Sequence, residues 1–438
     1  MHTEGTFEHW SKAKWIEGTL LLAVAPFLFL PHRSLAATSI ALILVAAFWL
    51  WPVIFLRSPL IPAIPYNVVL LLFCVTVFIG ILVTADPEYT LSKATGIILG
   101  LSVWRYISIY IQRRDQFRWL VAGYIFLGFS MTVVGFLNAN WLAKATLRMP
   151  YLLDLLQSNL NSYFLLGSVG SAIDIHPNQL AGLITLYLPL LIALLISREV
   201  RSRKIVFMIV TAVTFLAALA LLVTQSRSGW LGMIGGLFAL VFVWSLLLPP
   251  SLKRNTIWGT MVFFLLVGLI ILVQVGPARI TELWLDPPRD TIIGTFSTLK
   301  SRQEVWSWAL TAVRDFPYTG TGLGTFRVVA RRLYPIDVPS AFDFAHAHNV
   351  FLQMALDIGI PGLVSYVALL LLSVVLAWKV ARSDLQLRPL GVGILASLWA
   401  FHVYGLADTS ALGSKPALLF WIIIAMLGVA NNFKKSYA

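Results

Sequence analysis

Phe342-Asp-Phe-Ala-His-Ala-His-Asn349 ends a long polar segment, and Val350-Phe-Leu-Gln-Met-Ala-Leu356 at once opens a strongly apolar helix. The stretch decides the fold through its surroundings. Of 438 residues, 59% are hydrophobic and only 12% are Asp, Glu, Lys or Arg. A soluble domain carries about 25% charged residues, so the composition reads as an all-α integral membrane protein. In such a chain, titratable groups beside a membrane-embedded helix mark a functional site. His346, His348 and Asn349 form that group, and imidazole is the side chain best suited to move protons near neutral pH.

Working outward, runs of about 20 apolar residues suit the bilayer core. About twelve appear: 16–31, 35–56, 64–84, 90–111, 118–137, 179–197, 205–224, 229–248, 256–276, 350–378, 389–407 and 416–430. The tenth should break near Gly359-Ile-Pro361. The first follows Lys12 and Lys14 without a convincing small-residue cleavage site, so it reads as a helix and not a signal peptide. Basic residues such as Arg113, Arg114, Arg201, Arg203, Lys253, Arg254 and Arg388 share one side. The opposite short loops hold only Arg33, Arg227 and Lys415, so the positive-inside rule puts both termini in the cytoplasm.

The expected organisation is one bundle in three stretches. Residues 1–276 form nine spans with an external loop at 138–178, where Tyr151-Leu-Leu153 lies along the membrane surface. Residues 277–349 form a large external loop carrying site residues, and 350–438 return to the bundle. A formal charge of +13 is mainly a topology signal, with anionic lipids or substrates as the secondary reading. Nothing calls for a nucleic-acid partner. The single cysteine, Cys74, lies in an apolar run and excludes a disulfide framework or thiolate cluster. No inverted repeat supports a secondary transporter.

In the large loop, Ser301-Arg-Gln-Glu304 fits a capping box, which would make Arg302 the first residue of an amphipathic helix and a fit for phosphate. A solvated surface arginine is the alternative. Gly320-Thr-Gly-Leu-Gly324 has no preceding strand and reads as a helix stop with tight turns, not a dinucleotide fingerprint. Arg227 falls between two spans with almost no loop, either facing water at the external interface or snorkelling to headgroups. Lys93 and Asp408 also lie near external helix ends, and Arg105 reads as a cation snorkelling inward. Asp174-Ile-His-Pro-Asn178 precedes the sixth span, where Pro and Asn suit a helix start. His346, His348 and Asp343 suggest a metal, but no third ligand follows at a recognisable spacing and no metal is expected.

Asn178-Gln-Leu-Ala181, Ser226-Arg227, Arg302 with Trp306, the glycine triplet, and His346-Ala-His-Asn349 leading to Gly359 and Gly362 together resemble the O-antigen ligase and polymerase superfamily. The likeness covers about residues 170–370. Ala347 stands where members often have Ser or Thr, and Asp357 where they often have Glu. The resemblance implies a GT-C-like glycosyltransferase with a helical periplasmic subdomain in the bacterial inner membrane. It would move a glycan from undecaprenyl pyrophosphate to a lipid A–core hydroxyl, with inversion and without cofactor or metal. Polymerisation onto a second lipid-linked glycan, or protein glycosylation, are the alternatives. His348 is expected as base and Arg227 and Arg302 as diphosphate clamps, since arginines can replace a divalent ion at a leaving diphosphate. His346 and Asn349 position substrate, with Asn178 and Lys93 also in contact, and His346 points differently from His348.

Overall fold

A computed structural model of the chain describes residues 4–56, 64–139, 176–285, 297–336, 344–410 and 412–433. Most of the 138–178 loop, with its Tyr151-Leu-Leu153 patch and Asp174, and Asp343 lie outside the described residues. Regular structure among the described residues is helical, without a strand. The helices are α1 Glu4–Phe29, α2 Leu35–Leu56, α3 Asn67–Leu82, α4 Pro87–Tyr110 and α5 Arg114–Leu137. After these come α6 Pro177–Ile196, the short α7 Arg198–Ser202, α8 Lys204–Val223, α9 Arg227–Leu246 and α10 Leu252–Leu285. The last five are α11 Ser297–Asp315, α12 Phe326–Leu333, α13 Val350–Ser383, α14 Arg388–Tyr404 and α15 Ala417–Asn432.

A helix falls on each of the twelve apolar runs. Six of the helices described (α5, α6, α8, α9, α10 and α13) are long and apolar enough to cross a membrane. With lipid tails as apolar as leucine, helices in such a chain associate through close packing and small residues. α14 does this centrally, against α9, α6 and α13. A Cβ on Gly236 of α9 would come within 2.7 Å of the Ala400 Cβ on α14, and one on Gly393 within 2.7 Å of Leu190 on α6. α15 is buried nearly throughout, with Trp421, Phe420 and Ile423 inaccessible to solvent.

Two helices are broken at a glycine of positive φ that lies one or two residues before a proline. α10 bends at Gly276 (φ 73°) before Pro277, and α13 at Ile358 and Gly359 (φ 73°) before Pro361, as the sequence led one to expect of the tenth run. The α13 break is filled from the 277–349 segment. Ile360 N–H donates to Pro317 O (2.7 Å), and Leu356 O accepts Thr321 N–H (2.7 Å) and the Thr321 hydroxyl (3.0 Å). The backbone groups freed by the break are thereby satisfied, a requirement in a non-aqueous bundle. A Cβ on Gly359 would collide with the Tyr318 carbonyl, and one on Gly320 (φ 68°) with that of Leu356. Glycine is needed here for contact as well as conformation.

The capping box is a correction. α11 begins at Ser297, so Ser301 is helical and Arg302 is the sixth helical residue, not the first. Thr298, Leu299 and Lys300 contain no helix breaker, so the helix starts a turn earlier. α11 and α12 then close a small cluster of Val305, Ala309, Ala312, Phe326, Ala330, Phe344, Ala347 and Leu356. Leu356 belongs to α13, which keys the 277–349 segment to the bundle.

Candidate active site

The site is built around the loop from Phe344 to Asn349. Its middle residue, Ala347, is inaccessible to solvent and held from both sides. Ala347 N–H donates to Gln353 Oε1 (2.8 Å), and Ala347 O accepts Trp306 Nε1–H (2.6 Å) from α11. Trp306 is one helical turn from Arg302, so one helix fixes both the histidine loop and the arginine. Asn349 caps α13, its Oδ1 accepting from Phe351 and Leu352 N–H (both 3.0 Å) while its Nδ2 donates to Leu406 O (3.1 Å). Its amide therefore locks the loop to the end of α14.

Between Ala347 and this cap, His348 takes φ +50°. Non-glycine residues rarely adopt that region, at a cost of about 1–3 kcal/mol each. The other described non-glycine residue with positive φ is Gln225 (φ 51°), two residues before Arg227. Ser226 caps α9 by accepting from Gly229 N–H (3.3 Å), which leaves Arg227 as the first helical residue. Both strained positions thus adjoin predicted site residues.

What joins these pieces is Asp408, just past α14. His346 Nε2 and His348 Nδ1 lie 3.2 and 3.3 Å from the same oxygen, Asp408 Oδ1, which also accepts Thr409 N–H at 2.9 Å. Arg302 Nη2 is 3.9 Å from Asp408 Oδ2, and Arg227 is within electrostatic reach of Arg302. The imidazoles do not diverge as expected. Because His348 is left-handed and the loop is not yet helical, both rings turn to Asp408, with centroids 4.5 Å apart.

Burial alone would raise the Asp408 carboxyl, but hydrogen bonds from His346 and His348 outweigh it and hold the group well below the usual carboxylate range. Burial pushes the His346 imidazole below its ordinary value. The Asp408 hydrogen bond opposes that, and His348 adds to it. Near neutral pH the cluster therefore holds an ionised Asp408 beside a neutral His346.

The metal expectation needs revision in one respect. A third ligand does arrive, from Asp408, sixty positions after His348, and the three ligand atoms lie within 4.8 Å of one another. That donor set fits a divalent ion. Against one stands the Arg302 guanidinium at the other carboxylate oxygen, since like charges brought together in a partly buried site repel strongly.

Lys93 proves to be an ion-pair partner. Its Nζ lies 2.7 Å from Asp357 Oδ2, while Asp357 Oδ1 accepts Gly324 N–H (2.9 Å) and Gln353 Nε2–H (2.8 Å). The N–H groups of Thr321, Leu323 and Gly324 are all taken by protein oxygens, which supports reading the glycine triplet as turns. Asp357 thus ties the glycine turn, α4 and the histidine loop together. Asn178 is the second residue of α6, and its N–H donates to His176 Nδ1 (3.1 Å) while its carbonyl accepts the Tyr404 hydroxyl (2.9 Å). It sits at a helix start beside the base of the Asp408 loop.

Sequence reasoning weighted Asp408 too lightly. The available signal was that it is the only Asp or Glu after Asp384, in an otherwise oily stretch. Arg105 is the other correction. It does not snorkel: it pairs with Glu17 of α1, whose second oxygen accepts the Tyr110 hydroxyl (2.8 Å).

Residues 212–367 match the sequence model of a family described as O-antigen ligase. The match contains Arg227, Arg302, both histidines, Asn349 and the α13 break, and leaves out Lys93, Asn178 and Asp408. No curated protein matches the chain.

Proposed function

We propose that this chain, which carries an O-antigen ligase domain over residues 212–367, is a GT-C-like ligase that transfers a glycan from undecaprenyl pyrophosphate to a lipid A–core hydroxyl. The observation that carries the reading is the His348–Asp408 pair with Arg302 beside it. With Nδ1 turned to the ionised Asp408, His348 keeps Nε2 for a proton, the arrangement in which a carboxylate orients a catalytic imidazole.

In this mechanism the acceptor oxygen attacks the anomeric carbon from the face opposite the lipid diphosphate, and the carbon–oxygen bond to the diphosphate breaks with inversion. The acceptor proton passes to His348 Nε2, and the bonding electron pair leaves with the diphosphate. Arg227 and Arg302 meet that developing charge, the role a divalent ion fills elsewhere. Arg227 adds the dipole of the α9 N-terminus, which favours an anion. Asp408 stabilises the imidazolium that forms, and Asn349 holds the loop in register.

The charge asymmetry of the loops supports cytoplasmic termini and a site on the periplasmic face of the inner membrane. Twelve spans remain the preferred count, since a helix underlies every apolar run. Residues 1–276 and 350–438 then form one bundle under the 277–349 segment. A second assignment of the base has one observation in its favour: His346, not His348, lines the adjoining cavity.

Transfer by the purified protein tests the proposal. Supplied with a lipid-linked glycan, it should glycosylate lipid A–core and leave a second lipid-linked glycan unextended. Chain extension instead would identify a polymerase, transfer to a protein acceptor would identify a protein-glycosylating enzyme, and no transfer to any of the three would refute the reading.

A further inference from the structure

Asn349, Gln353 and Asp357 recur every four residues along the start of α13, so they fall on one face of it. Asn349 caps the helix and Asp357 pairs with Lys93. Gln353 lies between them and is only 1% exposed. Its Oε1 accepts Ala347 N–H (2.8 Å) and its Nε2 donates to Asp357 Oδ1 (2.8 Å). The two ends of this amide cannot be exchanged. A peptide N–H only donates, which fixes the oxygen. A carboxylate that already holds Lys93 and Gly324 N–H accepts, which fixes the nitrogen. The amide is thus a spacer of set length between an anchored carboxylate and the peptide that separates the two histidines.

That peptide borders the strained residue of the loop. His348 sits at φ +50°, and such a conformation persists only where its surroundings over-determine it. Trp306 holds the Ala347 carbonyl, and Asn349 ties the far side of His348 to Leu406. Gln353 supplies a third restraint, on the Ala347 N–H. Ala347 is inaccessible to solvent, so that N–H has no water to turn to once the amide is gone. His346 and His348 flank the residue that Gln353 grips, and its effect on both rings runs through the backbone.

We infer that Gln353 is a positioning residue for transfer: its amide holds the Ala347 peptide so that His348 keeps its left-handed backbone and both rings stay on Asp408. The inference rests on the reading of the histidine pair as the place of proton transfer, and it holds whichever of the two is the base. Methionine has a similar length but leaves the Ala347 N–H and one Asp357 contact unanswered. Glutamate makes both bonds only while it carries a proton. Its carbonyl then accepts from Ala347 and its O–H donates to Asp357. The charged groups it would meet are Asp357 and, on the other oxygen of that carboxylate, Lys93 of α4. Once the proton leaves, two carboxylates share one contact and repel.

Full-length protein in detergent, carrying Gln353→Met or Gln353→Glu, tests this by transfer kinetics and by NMR of labelled histidine rings. Gln353→Met should lower kcat about 10-fold, the scale of one lost hydrogen bond, with KM for the lipid-linked donor within about 2-fold. Its His346 and His348 signals should shift. The His402 signal should stay, because that ring is held inside the bundle by Tyr366 and Leu398 O, and this separates a displaced loop from general unfolding. Relative to wild type, Gln353→Glu should be most active at low pH and lose rate as pH rises, a trend that lost packing alone does not produce. A kcat within about 2-fold of wild type for Gln353→Met, or a change confined to KM, would overturn the assignment. So would unmoved His346 and His348 signals, or a Gln353→Glu ratio that is flat or climbs with pH. Should the wild-type protein transfer no glycan while the ring signals shift as expected, the proposed activity falls and the positioning of the pair stands.

Discussion

α4 carries a cation toward each of its ends, and the two ends behave differently. At one end Arg105 meets Glu17 and Tyr110 inside the bundle, with the Trp49 ring 6.0 Å away. Every strong charge there has its complement, and the backbone is ordinary helix. At the other end Lys93 meets Asp357, but the network runs on through Gln353 and the histidine loop to Asp408 and Arg302. That end has a histidine in left-handed conformation and a cavity. A buried ion pair alone is therefore not a mark of chemistry. A pair sealed between helices joins them; titratable groups gathered beside strained backbone and a cavity mark where a reactant belongs.

The comparison breaks most readily at His348. His348→Ala should lower glycan transfer at least about 10²-fold, the contribution of a positioned base, while donor binding persists. His346→Ala should cost less; the reverse ranking in the same transfer assay would move the base to His346. Next is Asp408→Asn, which should slow transfer roughly 10- to 100-fold through loss of the charge-assisted bonds to both rings. Titration of His346 adds a sign. Asp408 is the group that raises the His346 pKa against burial, so removing its charge should let that imidazole stay neutral to lower pH. In an NMR titration of Asp408→Asn the His346 midpoint should move down, and an upward move would show that Asp408 is not supplying that charge.

Arg227→Lys should cost about 10-fold, because an ammonium cannot reproduce a bidentate fork on a diphosphate. Near-normal transfer would return Arg227 to the class of interfacial arginines. The closed end supplies the smallest effect on rate. Replacing Glu17 and Arg105 together by Met should leave transfer within about 2-fold, since a buried pair exchanged for apolar groups is often neutral. Glu17→Met alone strands the cation and should destabilise the protein by about 3–5 kcal/mol in thermal denaturation. A rate loss in the double variant that stability does not explain would make the Glu17–Arg105 end functional after all.

Legibility in the sequence followed the range of the interactions. The helices, the α13 break and the glycine turns are written locally, in apolar runs and in Gly359-Ile-Pro361, and were readable. So were His346, His348 and the cations at 227 and 302, because charge in an oily chain is conspicuous. The partners were not, because they come from far along the chain. Asp408 lies sixty positions beyond His348, Lys93 finds Asp357 from another helix, and Glu17 answers Arg105 from the first apolar run. Ser301-Arg-Gln-Glu304 misled in the opposite way, a sound local signal overridden by helix-compatible residues before it. The roles of Ala347 and Asp357 were hidden because each depends on side chains, Trp306 and Gln353 among them, that only the fold assembles.

The measurement bearing most directly on the central claim is the rate of glycan transfer from undecaprenyl pyrophosphate by the purified protein before and after exhaustive chelation. His346, His348 and Asp408 could serve either as a base with its counterion or as a metal site, and the account assigns the leaving diphosphate's charge to Arg227 and Arg302. It therefore predicts an unchanged rate with chelator, still lost on His348→Ala. Abolition by chelator and recovery with an added divalent ion would contradict it.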